Sequence, residues 1–222
     1  LWFCGVEQSG KTNTMLNCLH WAIDVDPGDI FYLMPTEATG DKVVMGKIVP
    51  LIRASKRLRG QVSDRADDIT LQRIKLKHGV TIRPAHANSA SSMASFAAKH
   101  CFGDEVDKYP DRTGNEADPI TLIKKRNRLY RGRYKRFFAS TPAGKFIHPG
   151  TLACHQVWEE QHLCPHCRQL FRPTGEGLII PEGLAAEDIT AETDIFYSCT
   201  ACGAQLGELE RMRILADPQW VF

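Results

Sequence analysis

Eight consecutive residues near the start of the chain, Gly5, Val6, Glu7, Gln8, Ser9, Gly10, Lys11 and Thr12, have types and spacing suited to one chemistry. They read G-x-x-x-x-G-K-[ST], the pattern of a loop that wraps phosphate groups. Glycines let such a loop curl closely, so that backbone N–H groups point at phosphate oxygens. Lys11 brings a point charge to the β- and γ-phosphates, and Thr12 offers a hydroxyl to Mg²⁺. The short apolar run Leu1-Trp2-Phe3-Cys4 leads straight into the loop as a strand. A helix over residues 12–24 is expected to follow, adding the positive end of its dipole. The substrate class is therefore a nucleoside triphosphate rather than a chance glycine-rich turn.

An acidic pair, Asp104-Glu105, ends the short strand His100-Cys101-Phe102-Gly103. At a strand end beside a phosphate loop, Asp104 is expected to hold the Mg²⁺ shell. Glu105 would then position and deprotonate the attacking water. Asp107 is a second candidate for either role. Ser140-Thr141-Pro142 ends the next strand, whose edge also faces the phosphates in a parallel sheet. Its hydroxyls are candidates for sensing the γ-phosphate, against the plainer reading of a rigid turn.

Two C-x-x-C pairs, Cys164/Cys167 and Cys199/Cys202, lie on either side of residues 168–198. Each pair is a knuckle that presents two thiolates, and together they can enclose one tetrahedral Zn²⁺. A long spacer is tolerable because loop closure costs little per added residue. Redox dithiols are the rival reading, as are ligand swaps with His155, His162 or His166. The remaining cysteines are scattered, and Cys4, Cys18 and Cys101 in apolar contexts read as buried small hydrophobes.

The elements that must position these residues follow from pattern. Apolar residues make up 43% and charged residues 24% of the 222, ordinary for a globular protein. No run of eighteen apolar residues and no secretory signal is present, so no membrane partner is expected. Strand and helix patterns alternate over roughly the first 145 residues. They imply an α/β domain with a mainly parallel sheet and helices on both faces, of the P-loop NTPase (ASCE/RecA-like) type. Residues 29–34 read as a buried strand and 38–57 as a helix interrupted near Pro50. Residues 69–77 and 80–83 read as a hairpin about His78-Gly79, 88–95 as a loop or short helix, 120–130 as a helix and 133–139 as a strand. Composition shifts near Pro149-Gly150. The expected division is an ATPase domain over residues 1–149 and a zinc-ribbon module over 150–222. Opening on Leu1 in what should be a buried strand, the chain reads as a fragment with material missing at both ends.

Net charge is only +2, so no global field advertises nucleic acid. Locally, Lys124, Lys125, Arg126, Arg128, Arg131, Arg133, Lys135 and Arg136 crowd together without an acid. The run is either a solvated helix face or a phosphate-contacting surface, for DNA or for a neighbouring subunit's nucleotide.

In this order the pieces resemble the large subunit of the tailed-phage terminase, in its lambda-like GpA branch. The matching stretches are G-V-E-Q-S-G-K-T, Y-L-M-P-T-E (residues 32–37), G-D-E-V-D-K-Y-P (103–110), F-A-S-T-P-A-G (138–144) and the C-P-H-C…Y-S-C-T-A-C-G ribbon. The resemblance implies an ATP-driven motor that pumps double-stranded DNA into an empty procapsid. It also implies a homo-oligomeric ring on the portal, a small terminase subunit as partner, a metal-dependent nuclease outside this stretch, and work in the host bacterial cytoplasm. By resemblance Lys11 and Thr12 bind phosphate and Mg²⁺, Asp104 and Glu105 form the second acidic motif, and Ser140-Thr141-Pro142 couples hydrolysis to movement. Many large terminases carry an arginine in the phosphate loop, where this chain has Glu7 and Gln8. An arginine finger is therefore sought within residues 126–136. Two rivals remain at this point: an SF2-like helicase or translocase, and a catalytically inactive zinc-containing DNA-binding assembly module of a prophage.

Overall fold

The computed structural model describes residues 1–62, 65–94, 96–142, 149–184, 188–190 and 193–221. Ser95, Ala143, Gly144 and Phe222, which fall within stretches read above, lie outside the described residues. The chain divides into two compact units, Leu1–Cys154 and His155–Phe222.

The first unit is built on a seven-stranded sheet in the order β1-β7-β6-β2-β5-β4-β3. In chain order its elements are β1 (Trp2–Cys4), α1 (Lys11–Asp24), β2 (Ile30–Met34), α2 (Glu37–Val43), α3 (Val49–Ala54), β3 (Ile69–Thr70), β4 (Arg73–Lys75), β5 (Thr81–His86), α4 (Ala90–Met93), β6 (His100–Gly103), α5 (Pro119–Arg126), β7 (Lys135–Ser140) and α6 (Pro149–Leu152). β1, β7, β6, β2 and β5 run parallel, while β4 pairs antiparallel with β5 and with β3. The expected mainly parallel sheet is thus present. β2 shows why it needs cover on two faces. Ile30, Tyr32 and Met34 pack with Leu16, Leu19 and Ile23 of α1 and Val49 and Ile52 of α3. Phe31 and Leu33 point the other way, into a cluster with Met93, Leu122 and Ile123. A strand buried on both faces needs an unbroken apolar run, and I-F-Y-L-M supplies it.

Several boundaries differ from the sequence pattern for identifiable reasons. Helix runs through residues 37–54 because the turn Val44–Ile48 widens ahead of Pro50 into a π turn, in which the Val49 N–H reaches back to the Val44 carbonyl. Proline then sits at the start of α3, where its missing N–H costs little. α5 stops at Arg126, not at residue 130, because the buried Asn127 spends its amide on the Ala98 carbonyl at 2.9 Å. The basic run is therefore not one helix face but the end of α5, a 3₁₀ turn (Arg128–Tyr130), a loop and the start of β7. β1 is an edge strand of intermediate burial, and Leu1 is exposed, contrary to the buried strand expected there. Cys101 is buried as expected, whereas Cys4 and Cys18 are only half-buried.

The second unit holds two small three-stranded sheets. Its elements are β8 (Glu159–Leu163), β9 (Leu170–Phe171), β10 (Leu178–Ile179), β11 (Phe196–Ser198), β12 (Gln205–Leu206), α7 (Glu208–Ala216) and β13 (Gln219–Val221). One sheet is ordered β10-β11-β12 and the other β13-β8-β9. Its small core joins Phe171, Tyr197 and Leu206 to Cys164 and Cys199.

Candidate functional site

The phosphate-loop pattern lies between the C-terminal end of β1 and the N-terminus of α1. Two residues carry the turn. Gly10 takes φ +81° and Gln8 φ +59°, both left-handed, and Gly10 caps the helix. A side chain at Gly10 would be strained, which accounts for the second glycine of the pattern. Gly5 Cα faces the loop interior: a Cβ there would stand 3.0 Å from Ser9 Oγ. Ser9 Oγ donates to the Val6 carbonyl at 2.8 Å, tying the loop across its middle. Lys11 Nζ folds back on the same loop, donating to the Gly5 carbonyl at 2.8 Å and also to that of Val6. Glu7 is exposed and pairs with no cation among the described residues.

β7 separates β1 from β6, yet helix α1 carries Thr12 over to the acidic strand end. Thr12 Oγ1 donates to Asp104 Oδ2 at 3.2 Å, joining residues 92 positions apart. The Tyr32 hydroxyl donates to the same oxygen at 3.2 Å, and the Glu105 N–H to Asp104 Oδ1 at 3.1 Å. Asp104 is only 4% exposed. Burial pushes its carboxyl above the ordinary range, against the opposing pull of the Tyr32 and Thr12 hydroxyls. Burial, with the Asp104 carboxylate beside it, raises the Tyr32 phenol far above its usual value, so it stays a donor. A hydroxyl and a carboxylate brought together are hard oxygen donors, the set that suits Mg²⁺. Glu105 follows with φ +51°, an uncommon conformation for a non-glycine residue. Its carboxylate pairs with Lys108 Nζ at 2.9 Å and is about one-third exposed.

Gly103 ends β6 where a side chain would not fit. A Cβ there would lie 2.8 Å from the Phe138 ring and 3.2 Å from the Tyr109 hydroxyl. Glycine is what allows β7 and Tyr109 to close on the strand end. Tyr109 in turn donates to the Leu33 carbonyl at 2.8 Å. Asp107 Oδ1 accepts from the Thr141 N–H at 2.7 Å, so it acts on the end of β7. Ser140 is fully buried, its hydroxyl accepting from Trp2 Nε1 at 2.9 Å and its carbonyl from Gly5 N at 3.2 Å. Pro142 follows at intermediate burial. The structure thus gathers loop, acidic pair and Ser140-Thr141 at one sheet edge. Tyr32, Tyr109 and Trp2 were not singled out from sequence. The available signal was a phenol or indole standing inside each of the apolar or acidic stretches.

In the second unit, Cys164, Cys167, Cys199 and Cys202 bring their Sγ atoms within 4.8 Å of one another. The Sγ atoms of Cys164 and Cys202, and those of Cys167 and Cys199, are 3.9 Å apart. A tetrahedral zinc with Zn–S bonds of about 2.3 Å needs Sγ atoms about 3.8 Å apart, so the donor set fits. The two knuckles are built alike. Arg168 N–H bonds the Cys164 carbonyl at 3.0 Å, and Gly203 N–H the Cys199 carbonyl at 2.8 Å. Arg168 and Gly203 both take positive φ, +62° and +72°. His162 is turned away, its Nδ1 2.8 Å from the Ile214 carbonyl, and His166 pairs with Glu210 at 3.2 Å. Burial raises the Cys164 thiol, but the N–H groups of Cys167 and His166 and the neighbouring thiols outweigh it and bring it down to about 7.

The model of the phage terminase large subunit gpA ATPase domain matches residues 1–220. The chain belongs to that family. No protein of curated function matches it. Among solved structures it is similar to the large terminase of a thermophilic bacteriophage, with TM-score 0.49, 16% identity, and cover of 64% of this chain and 34% of that one. The large terminase of bacteriophage HK97 gives TM-score 0.48 and 14% identity, covering 63% and 29%. The ATPase domain of the Thermus phage P74-26 large terminase gives 0.47 and 16%, covering 64% and 59%. The chain spans about a third of the length of the first of these proteins. No helix among the described residues is long and apolar enough to cross a membrane.

Proposed function

We propose that this chain hydrolyses ATP, and that hydrolysis drives double-stranded DNA into a phage procapsid. The observation that carries the reading is the Thr12–Asp104 hydrogen bond of 3.2 Å. It brings the last residue of the loop pattern to the acidic strand end, the pairing a nucleotide–metal site requires. The backbone N–H groups of residues 5–12 and the Lys11 ammonium bind the β- and γ-phosphates. Thr12 and Asp104 hold Mg²⁺, which when bound neutralises charge developing on the phosphate oxygens. Glu105 orients a water and accepts its proton as the water oxygen bonds the γ-phosphorus and the bond from that phosphorus to the β–γ bridging oxygen breaks, releasing ADP and inorganic phosphate. Ser140, Thr141 and Pro142 carry the state of the site into β7 and the chain beyond. The order of β1, β7 and β6, with one strand between loop and acidic pair, supports the ASCE/RecA-like assignment. Cys164, Cys167, Cys199 and Cys202 hold a structural Zn²⁺ with no open position. Family membership supports DNA, portal and procapsid as partners, together with a ring of copies, a small terminase subunit and the host bacterial cytoplasm as the setting.

The experiment is steady-state ATP hydrolysis with Mg²⁺ by the chain and by Lys11→Ala. The variant should lose turnover while keeping its circular dichroism, because the hydrogen bonds of Lys11 Nζ among the described residues go to its own loop. Equal turnover in both proteins would remove the loop from the reaction.

A further inference from the structure

The basic run encloses a hollow. Lys124, Asn127, Arg128, Arg131, Tyr134 and Arg136 line a concavity of ≈ 600 Å³. None of its four cationic side chains has a carboxylate within ion-pair distance among the described residues. The buried Asn127 fixes one of them: Arg136 Nε donates to Asn127 Oδ1 at 2.7 Å, and its guanidinium also reaches the Lys124 carbonyl at 3.4 Å. The same guanidinium lies 4.2 Å from the centre of the Tyr134 ring. Lys124, Arg128 and Arg131 are exposed around it. Cations held together without counter-charge repel one another, an arrangement that favours binding of an anion.

Its place in the fold decides which anion. β7 runs from Lys135 to Ser140, and Ser140 is the end bonded to Gly5 of the phosphate loop. Arg136 is at the opposite end, so the hollow is about a strand length, on the order of 15 Å, from the loop. It cannot serve this chain's own nucleotide. Nor does it have the form of an arginine finger for a neighbour's nucleotide: a finger projects, whereas these residues line a recess, and Arg136 is tied back by Asn127. The recess also lies at the C-terminal end of α5, where backbone carbonyls rather than N–H groups emerge. A terminal phosphate of a mononucleotide gains no backbone cradle there. A phosphodiester chain needs none, because side-chain cations hold it by charge alone.

We propose that this hollow is a docking site for the phosphodiester backbone of duplex DNA, separate from the ATP site. The proposal rests on the functional reading above only in naming duplex DNA as the source of the phosphates. The experiment titrates a short labelled duplex of random sequence into the full 222-residue chain over a series of salt concentrations. Arg128→Ala and Arg131→Ala should each weaken binding and flatten the salt slope by about 1. Both side chains are exposed, so melting temperatures should not move. Lys47→Ala, an exposed lysine outside the hollow, should keep the wild-type slope. Wild-type affinity and slope in both arginine variants would overturn the proposal, as would failure of the unaltered chain to bind duplex. A labelled ATP analogue that binds Lys11→Ala and is released by adding Arg128→Ala would also overturn it, assigning the hollow to a mononucleotide. ATP hydrolysis is measured on the same samples. Its absence with the slope changes intact would sink the ATPase reading and leave the docking site standing.

Discussion

Asp107 and Thr141 tie together the C-terminal ends of β6 and β7, beside the loop over residues 5–12. Asp107 Oδ1 accepts a hydrogen bond of 2.7 Å from the Thr141 backbone N–H, across 34 positions of sequence. Asp107 stands two residues after Glu105, and Thr141 one residue after the Ser140 that bonds Gly5. A carboxylate accepting from a backbone N–H is among the stronger hydrogen bonds. It therefore sets the distance between the turn that carries Glu105 and the end of β7.

We predict that Asp107 serves as a positioning residue and not as the base. Asp107→Ala should lower kcat for ATP about tenfold, equivalent to about 1.4 kcal/mol, with KM little changed. Asp107→Asn keeps an acceptor at Oδ1 and should restore most of the rate. Steady-state kinetics of the unaltered chain, both Asp107 variants and Glu105→Gln test this. A rate in Asp107→Asn as low as in Glu105→Gln would return Asp107 to proton transfer.

Glu105→Gln should bind ATP and Mg²⁺ and hydrolyse slowly. Losing a general base costs on the order of 10²–10⁴-fold. Glutamine is isosteric, so the left-handed turn at φ +51° has no new clash to accommodate. Nucleotide binding by fluorescence and turnover measured side by side decide the case. Loss of binding would make Glu105 structural.

Much of this site was legible because short motifs name their own neighbours. G-x-x-x-x-G-K-T demands a strand before it and a helix after it, and β1 and α1 stand there. I-F-Y-L-M admitted no reading but a doubly covered strand. What pattern missed was long-range. Nothing in D-E-V-D specifies that its last residue bonds Thr141, or that Ser140 is held by Trp2. The basic run misled for the same reason. Its Lys, Arg and Leu residues favour helix through residue 129, yet α5 stops at Arg126, where the buried Asn127 amide bonds the Ala98 carbonyl. That tertiary bond outweighs a local propensity worth a few tenths of a kcal/mol per residue.

The cysteine cluster makes a prediction about metal. Protein purified without chelator should carry one Zn²⁺ per chain by elemental analysis. Cys199→Ser should abolish it, because Cys199 is buried in the small core of the second unit and its Sγ is 3.9 Å from that of Cys167. Removing zinc should expose backbone amides of residues 155–221 to hydrogen exchange, since so small a core gains much of its folding energy from the metal. Full protection in Cys199→Ser, or protein with no metal and an intact second unit, would rule out a structural site.

The far end of the sheet predicts an acid-sensitive clamp. Asp26 pairs with Lys99, with Lys135 Nζ at 3.0 Å, and lies 3.5 Å from His100 Nε2. The Lys99 hydrogen bond, reinforced by Lys135, holds its carboxyl down from 3.8 to about 2. Between those values the folded chain carries fewer protons at this site than the unfolded chain. Its contribution to stability is therefore complete above about pH 4 and is lost as pH falls through about 2. His100 acts in a higher window. Burial lowers its imidazole below 6.5, so the fold also binds fewer protons there, and stability falls as pH drops below 6.5. Asp26→Asn removes the first effect and also withdraws the charge that props up the His100 imidazole, so the second is enlarged. Its melting temperature should fall more steeply than that of the unaltered protein as pH drops from 6.5 to 4, then less steeply toward pH 2. Melting curves of both proteins across that range are the test, and equal slopes below pH 4 would show that the Lys99–Asp26–Lys135 clamp contributes nothing to the fold.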